Sequence, residues 1–107
     1  MSKQQKTPAR KQVEIEINGK KYPYLETMGA MMSFHQETGL DAPVDLEDQV
    51  KYMYHVVKSA CRRYEEEFSL SFQEFADGLT GDEFLRIMAE LENQSGPQDG
   101  KDDEKNV

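Results

Sequence analysis

The strongest constraint on the fold is a short alternating segment near the N-terminus and the dipeptide that follows it. Residues 13–17 read Val-Glu-Ile-Glu-Ile, the alternation of apolar and charged residues that is typical of a half-buried β-strand. Asn18-Gly19 comes next and favours a type I′ turn, because both central residues of that turn need a positive φ. Such a turn fixes the register of a hairpin and places Ile15 opposite Tyr22.

The predicted hairpin has one apolar face and one charged face. Glu16 lies opposite Lys21 on the charged face as an opposite-charge pair. Pro23 lacks the N–H that a central strand donates, so the second strand is predicted to lie at an edge. Because an isolated hairpin is marginally stable in water, its apolar face must pack on helices or on a partner's sheet. That face is predicted to carry Val13, Ile15, Tyr22 and Tyr24.

Four helices are predicted after the hairpin. The first ends near Thr38, before Gly39, which accepts the left-handed conformation of a helix C-terminus. The second and longest extends to about Glu66, and the fourth, which opens with a capping box between its N-cap and Glu83, extends to about Asn93. This order predicts an α+β fold, an N-terminal hairpin followed by a mostly helical body. The predicted N-caps are Thr27, Ser71 and Thr80, and Asp45 is predicted to start the second helix in its first turn.

Apolar spacings of three and four residues define the main stripe of the second helix, which is Leu46, Val50, Met53, Tyr54, Val57, Cys61 and Tyr64. Tyr52 and Val56 form a shorter apolar pair beside this stripe. Burial under another helix, which we favour, and a patch that faces a partner are both open explanations of that pair. The full predicted core is Val13, Ile15, Tyr22, Leu46, Val50, Met53, Tyr54, Val57, Phe72, Phe75, Phe84, Met88 and Leu91, and Leu85 and Ile87 join the apolar side of the fourth helix.

Charge divides the 107 residues into three segments. Residues 1–12 carry a net charge of +4, residues 13–93 carry −10 and residues 94–107 carry −2. The two end segments lack aromatic residues and periodic apolar residues, so they cannot bury enough surface to offset the entropy of ordering. We therefore predict a single α+β domain over residues 12–93, a disordered basic tail over 1–11 and a disordered acidic tail over 94–107.

Charge and hydropathy argue against nucleic acids and membranes as partners. Nucleic-acid binding draws on patches of lysine and arginine, whereas the predicted domain is strongly acidic. No apolar run approaches the roughly 18–20 residues of a membrane span, and the N-terminus lacks the apolar stretch of a signal peptide. A single cysteine rules out an internal disulfide framework, so we expect a reduced, cytoplasmic setting.

The sequence contains no recognisable catalytic, metal or cofactor motif. Cys61 lies on the main apolar stripe and is predicted to be a buried, inert thiol. His35 and His55 lie on different helices and outside any metal-ligand spacing, so we expect surface or hydrogen-bonded core histidines. Gly-rich phosphate loops and nucleophile turns are also missing. We therefore predict no enzymatic activity, no catalytic residues, no metal and no cofactor.

The residue order supports a family resemblance. The stretches that carry it are the 13–23 hairpin, Thr27-Met28-Gly29-Ala30 opening a helix, the 34–41 stretch with Phe34, Glu37-Thr38-Gly39 and Asp41, and Asp45-Leu46-Glu47-Asp48. Together with the acidic C-terminus, this order resembles the small tail assembly chaperones of long-tailed bacteriophages and prophages, over roughly residues 13–93. The resemblance implies a protein without enzymatic activity that coats the helical tape-measure protein before tail tube subunits polymerise around it, in the cytoplasm of a bacterial host.

Two classes of function follow from these observations. The first is a tail assembly chaperone that binds the tape-measure protein, the tail tube protein or both, with self-association left open. The second is another small acidic interaction module of bacterial or prophage origin, such as an adaptor or an inhibitor. Two roles are open for the methionines in either case: filling gaps in a small core, which we favour, and forming a surface that accepts varied helices. The predicted partner-binding residues are Met28, Met31, Met32, Tyr52 and Val56.

Overall fold

The computed structural model describes residues 13–106 of the chain, with side chains for residues 13–93. It has the predicted α+β architecture, in which an antiparallel hairpin precedes four helices. The basic tail predicted over residues 1–11 lies outside the described residues, and the acidic tail over 94–107 stays a prediction. The elements are β1 (Glu14–Ile17), β2 (Lys20–Pro23), α1 (Met28–Thr38), α2 (Leu46–Arg63), α3 (Phe72–Gly78) and α4 (Gly81–Asn106).

The hairpin has the turn and the register that its sequence predicts. Asn18 and Gly19 have φ values of 56° and 82°, as a type I′ turn requires. Ile15 pairs with Tyr22 and Glu16 pairs with Lys21. The predicted apolar face is buried, and Ile17, which the predicted core omitted, is fully buried with it.

Side-chain caps define where α1 and α2 begin. Thr27 Oγ1 accepts a hydrogen bond from the Ala30 N–H at 3.0 Å, and Asp45 Oδ1 accepts one from the Asp48 N–H at 2.9 Å. Gly39 ends α1 in the left-handed region, with a φ of 80°. These caps confirm three of the sequence-based boundaries, whereas α2 ends at Arg63, about one turn earlier than predicted.

Helix α1 packs antiparallel on α2. Near the start of α1, Thr27 Oγ1 lies 2.6 Å from Ser59 Oγ, and near its end the Glu37 carboxylate lies 2.7 Å from His55 Nε2. Between these two polar contacts the Phe34 ring packs edge-on against the Tyr52 ring, with centroids 5.4 Å apart. The contact between the two helices is therefore apolar in its middle and hydrogen-bonded at both ends.

The buried core joins the hairpin, α1, α2, α3 and α4. Its members are Val13, Ile15, Ile17, Tyr22, Tyr24, Ala30, Phe34, Tyr52, Met53, Val56, Val57, Cys61, Phe75 and Ile87. Partly buried residues that pack against it include Val50, Tyr54, Phe84, Met88 and Leu91, all of which were predicted core residues. The core therefore contains most of the predicted residues together with others that the predicted core omitted, such as Ile17, Ala30 and Phe34.

Three predicted apolar positions are wrong. Leu46 is 66% exposed, because α1 ends alongside the middle of α2 and leaves the first turn of α2 uncovered. Tyr64 is 42% exposed, since it lies just beyond the C-terminal end of the same helix. Leu85 is 65% exposed, because Ile87 is the residue of α4 that turns fully into the core.

The last two helices combine confirmed caps with one rearranged cap. Ser71 and Glu74 form a reciprocal capping box at the start of α3. At α4, Thr80 Oγ1 accepts from the Glu83 N–H at 3.1 Å, as the capping box predicts. The Glu83 carboxylate turns to the hairpin instead of to Thr80, so half of this predicted box does not form. Helix α4 also continues to Asn106, beyond its predicted end near residue 93.

The hairpin turn contacts the last residue of α3, and this contact requires a glycine. The Asn18 N–H donates to the Gly78 carbonyl at 3.2 Å. A Cβ on Gly78 would lie 2.8 Å from Ile17 Cγ2 and 2.7 Å from Asn18 Nδ2. Asn18 is exposed and can rotate away, but Ile17 is fully buried and cannot.

We predict that Gly78→Ala lowers the free energy of unfolding by about 1–3 kcal/mol, the usual cost of overpacking a filled site. Gly81→Ala is the matched control, because a Cβ there meets nothing within 4 Å and alanine favours helix. Equilibrium unfolding in urea measures both variants. Equal stability of the two variants would show that the close approach at Gly78 carries no cost.

Two buried tyrosines on the same side of the molecule differ in how their hydroxyls are satisfied. Tyr52 Oη donates to Glu26 Oε2 at 2.7 Å, whereas the buried Tyr24 hydroxyl has no hydrogen-bond partner among the described residues. Burial is the main cause that raises the pKa of both phenols above the ordinary value of 10.0. Neither phenol therefore ionises near neutral pH.

We predict that Tyr24→Phe leaves stability unchanged or raises it by up to about 1 kcal/mol, because it removes a buried polar group that lacks a partner. Tyr52→Phe should instead cost about 1–2 kcal/mol, since it breaks a hydrogen bond to a carboxylate. Thermal unfolding monitored by circular dichroism compares the two. A larger loss for Tyr24→Phe than for Tyr52→Phe would contradict this assignment.

Candidate functional site

Helix α1 has two apolar faces, and one of them is exposed. Ala30 and Phe34 are fully buried against the rest of the fold. Met28, Met31 and Met32 are 68%, 40% and 57% exposed. Their spacing of three and four residues places them along one side of the helix. We call the set Met28, Met31, Met32, His35, Gln36 and Asp41 the methionine surface, since His35 and Gln36 extend this side by one turn and Asp41 follows it.

The C-terminal half of the methionine surface forms a shallow groove of about 370 Å³, lined by Met31, Met32, His35, Gln36 and Asp41. His35 Nδ1 lies 3.3 Å from the Leu40 carbonyl oxygen and 3.3 Å from Asp41 Oδ1. These contacts hold the loop after α1 against the imidazole ring. The groove therefore has an apolar floor of methionine and a polar rim that includes an exposed carboxylate.

Helix α1 is a rigid support for this groove. The Glu37 carboxylate joins α1 to two basic residues of α2, with His55 Nε2 at 2.7 Å and Lys51 Nζ at 3.9 Å. Phe34 and the bond between Thr27 and Ser59 fix the remainder of the helix. Methionine side chains are flexible and polarizable, so they can adapt to a ligand while the backbone that carries them stays in place.

The structure separates the five predicted partner-binding residues into two groups. Met28, Met31 and Met32 lie together at the surface of α1. Tyr52 is 9% exposed and Val56 is fully buried, so neither belongs to an exposed patch. Tyr52 lies on the side of α2 that α1 covers, as its contact with Phe34 shows, and Val56 follows it one turn later on the same side. Burial under another helix, which was the favoured explanation of Tyr52 and Val56, is confirmed. The assignment of these two residues to an exposed partner-binding surface is wrong.

Sequence reasoning also missed part of the methionine surface. His35 and Gln36 continue the spacing of Met28 and Met32 along the same side of α1, and that spacing could have identified them. Asp41 enters the groove because the chain turns at Gly39, and helical spacing gives no signal for a residue beyond the end of a helix.

A second polar cluster joins α4 to the outer edge of β1. Glu83 Oε2 accepts from the Glu16 N–H at 2.8 Å, and Arg86 Nη2 donates to the Glu14 carbonyl at 2.7 Å. Arg86 also donates to both oxygens of Glu83, through Nε at 2.9 Å and Nη2 at 2.7 Å, and to Glu90 Oε1 at 3.1 Å. The guanidinium and the carboxylates bind one another, so this cluster links α4 to β1.

The remaining reactive side chains lie apart from one another. Cys61 is 1% exposed, and burial is the main cause that raises the pKa of its thiol, consistent with the predicted inert role. His55 is hydrogen-bonded to Glu37, and His35 lies at the groove. Within residues 13–93, no three histidine, cysteine, aspartate or glutamate side chains come close enough to hold a metal ion.

The ion pair of Glu83 and Arg86 predicts a defined response to acid. Hydrogen bonds from Arg86 are the main cause that lowers the pKa of Glu83 below its ordinary value of 4.5. Because the pKa is lowered on folding, the stabilisation is fully present above about pH 5 and is lost as pH falls through the folded-state pKa.

We predict that Glu83→Gln costs on the order of 1–3 kcal/mol at pH 7 and that this difference from the wild type shrinks steadily below pH 4.5. Glu92→Gln, at an exposed position of the same helix, is the control and should match the wild type. Urea unfolding across pH 3–7 measures both variants. A pH-independent cost for Glu83→Gln would contradict a role for the charged carboxylate.

Comparison with known proteins leaves the functional assignment to the site itself. No family model, curated protein or solved structure matches this chain. Among the described residues, no helix is both long enough and apolar enough to cross a membrane. In the part of the chain that the structure describes, the methionine surface is the main exposed apolar feature. The cluster of Glu83 and Arg86 is the main polar feature.

Proposed function

We propose that this protein is a non-enzymatic assembly chaperone of a bacteriophage or prophage tail, acting in the cytoplasm of the bacterial host. In this proposal it binds the tape-measure protein, the tail tube subunits or both during tail assembly. The observation that carries the proposal is the exposure of Met28, Met31 and Met32 on a helix that the core holds in place. The resemblance in residue order supports the choice of family, and this surface offers a place where a partner could bind.

Recognition of a helix by an apolar groove accounts for the chemistry of this surface. Amphipathic helices dock with apolar residues spaced by three and four positions, and such residues fit the ridge and groove that Met31 and Met32 form. Methionine suits a chaperone because one surface can accept many similar segments along a long helical client. Covering the apolar stripe of a client in this way prevents its premature association.

Charge supports the same type of partner. Asp41 lies exposed at the rim of the groove, and residues 13–93 carry a net charge of −10. Lysine or arginine beside the apolar anchors of a client would therefore be attracted on approach. The net negative charge of the chaperone also keeps the complex soluble, because complexes with a high net charge repel one another.

We predict that Met31→Asp or Met32→Asp weakens binding of a helical tape-measure segment at least about tenfold, because a carboxylate then lies where an apolar anchor must dock. Leu85→Asp is the matched control, because Leu85 is equally apolar and 65% exposed but lies on α4. Co-expression with the products of neighbouring tail genes, followed by co-purification and titration calorimetry, measures binding. Circular dichroism checks that each variant is folded.

The outcomes separate the proposal from its alternative. Loss of binding in the Met31 and Met32 variants with retention in Leu85→Asp supports docking on the methionine surface. Equal binding by all variants would remove this surface from the proposal. Failure of the wild type to bind any tail component would reject the chaperone assignment and favour an acidic adaptor or inhibitor. Raising the salt concentration should weaken binding only in part, because the apolar contact is unscreened.

A further inference from the structure

The outer edge of β1 is bonded to side chains where a sheet would have a third strand. In an antiparallel hairpin, alternate residues direct their backbone groups away from the partner strand. Val13 bonds inward, since its carbonyl accepts from the Tyr24 N–H at 3.0 Å. Glu14 and Glu16 therefore present their backbone groups outward, where Arg86 donates to the Glu14 carbonyl and Glu83 accepts from the Glu16 N–H. The two side chains supply the acceptor and the donor that an added strand would supply.

We propose that Glu83 and Arg86 form an edge guard, an autoinhibitory contact that prevents β1 from adding the β2 strand of a second copy of this chain. Exposed strand edges recruit other strands, and proteins commonly block them with inward-turned charges or a covering helix. Here α4 provides the charges, since the Glu83 and Arg86 side chains occupy the outward hydrogen-bonding groups of β1. This inference is independent of the proposed chaperone function, because the methionine surface takes no part in it.

The second edge of the hairpin identifies the strand that the guard excludes. Within residues 13–93, the outward N–H and C=O of Lys21 on β2 have no hydrogen-bond partner, and Lys21 is exposed. Pro23, two residues later, has no N–H to offer. The β2 edge is therefore open but short, which is a common way to limit strand addition.

Charge selects β2 of a second copy over a second β1. The exposed face of β1 carries Glu14 and Glu16, so two β1 strands side by side would place carboxylates against carboxylates. A β2 strand brings Lys21 to the same face and repeats the pairing of Glu16 with lysine that the hairpin already contains. Because the two edges differ, each added copy leaves a new edge, so this association does not close and grows into chains.

The space for an added strand depends on the guard side chains. A cavity of about 240 Å³ lies between β1 and α4, and Glu16, Glu83, Arg86 and Glu90 are among its lining residues. Truncating Glu83 and Arg86 would enlarge this cavity and release both backbone groups of β1.

The test uses the full chain carrying Glu83→Ala and Arg86→Ala together, with sedimentation velocity over a wide range of protein concentration. We expect the wild type to sediment as a 12.3 kDa monomer and the double variant to reach at least twice that mass, with further growth as concentration rises. Glu90→Ala is the matched control, because it removes the third partner of Arg86 and leaves both contacts to β1 intact. It should remain monomeric.

A third substitution tests the route of association. Adding Lys21→Pro removes the outward N–H of β2 without removing a hydrogen bond of the hairpin, so the triple variant should return to the monomer. If the double variant loses its circular dichroism spectrum, Arg86→Lys replaces it, since lysine keeps the charge but lacks the planar fork of donors with which Arg86 bonds Glu83 and the Glu14 carbonyl. A folded guard variant that stays monomeric, or one whose association survives Lys21→Pro, would overturn the proposal.

Discussion

The fold depends on the burial of α2 from two sides. On one side Tyr52 packs against Phe34 of α1, and on the other Tyr54 packs against the aromatic rings of Phe72 and Phe75 in α3. A small domain buries a limited fraction of its surface, so one helix that contacts several elements makes efficient use of few residues. The hairpin, which is too short to be stable alone, gains its stability by covering the same helix.

The two-sided burial of α2 explains why α1 presents methionines to solvent. Covering Tyr52 and Val56 takes only the narrow side of α1 that holds Ala30 and Phe34. The opposite side of α1 is left without any packing role, yet Met31 and Met32 occupy it where charged residues would be expected. Exposed apolar residues that cluster on one rigid helix are typical of a binding surface, whereas isolated ones are not.

Local signals in the sequence predicted the turn and the helix caps. Tertiary contacts decided which side chains are buried and which residues line the candidate site. The Asn18-Gly19 turn and the caps at Thr27, Asp45 and Ser71 depend on neighbours a few residues away, so the sequence alone identifies them. The burial of Tyr52 depends on α1, and a single-stripe pattern cannot report that a helix has two covered sides. The methionine part of the candidate site was predicted because its spacing is helical, whereas Asp41 joins it only through a turn.

Glu83 contributes to a helix cap through its backbone and to a tertiary contact through its side chain. Its N–H completes the cap of Thr80, as its position in the helix requires, while its carboxylate leaves the cap to bond the Glu16 N–H. The N-terminal turn of a helix favours a carboxylate, so Glu83 remains well placed for the helix in either role. Pairing with Arg86 lets the carboxylate accept a donor and lets the guanidinium donate to a carbonyl along the same strand. A carboxylate that stayed at the cap would satisfy the helix but would leave the Glu16 N–H without its acceptor, and the position of the Glu83 side chain is therefore explained by the strand rather than by the helix that carries it.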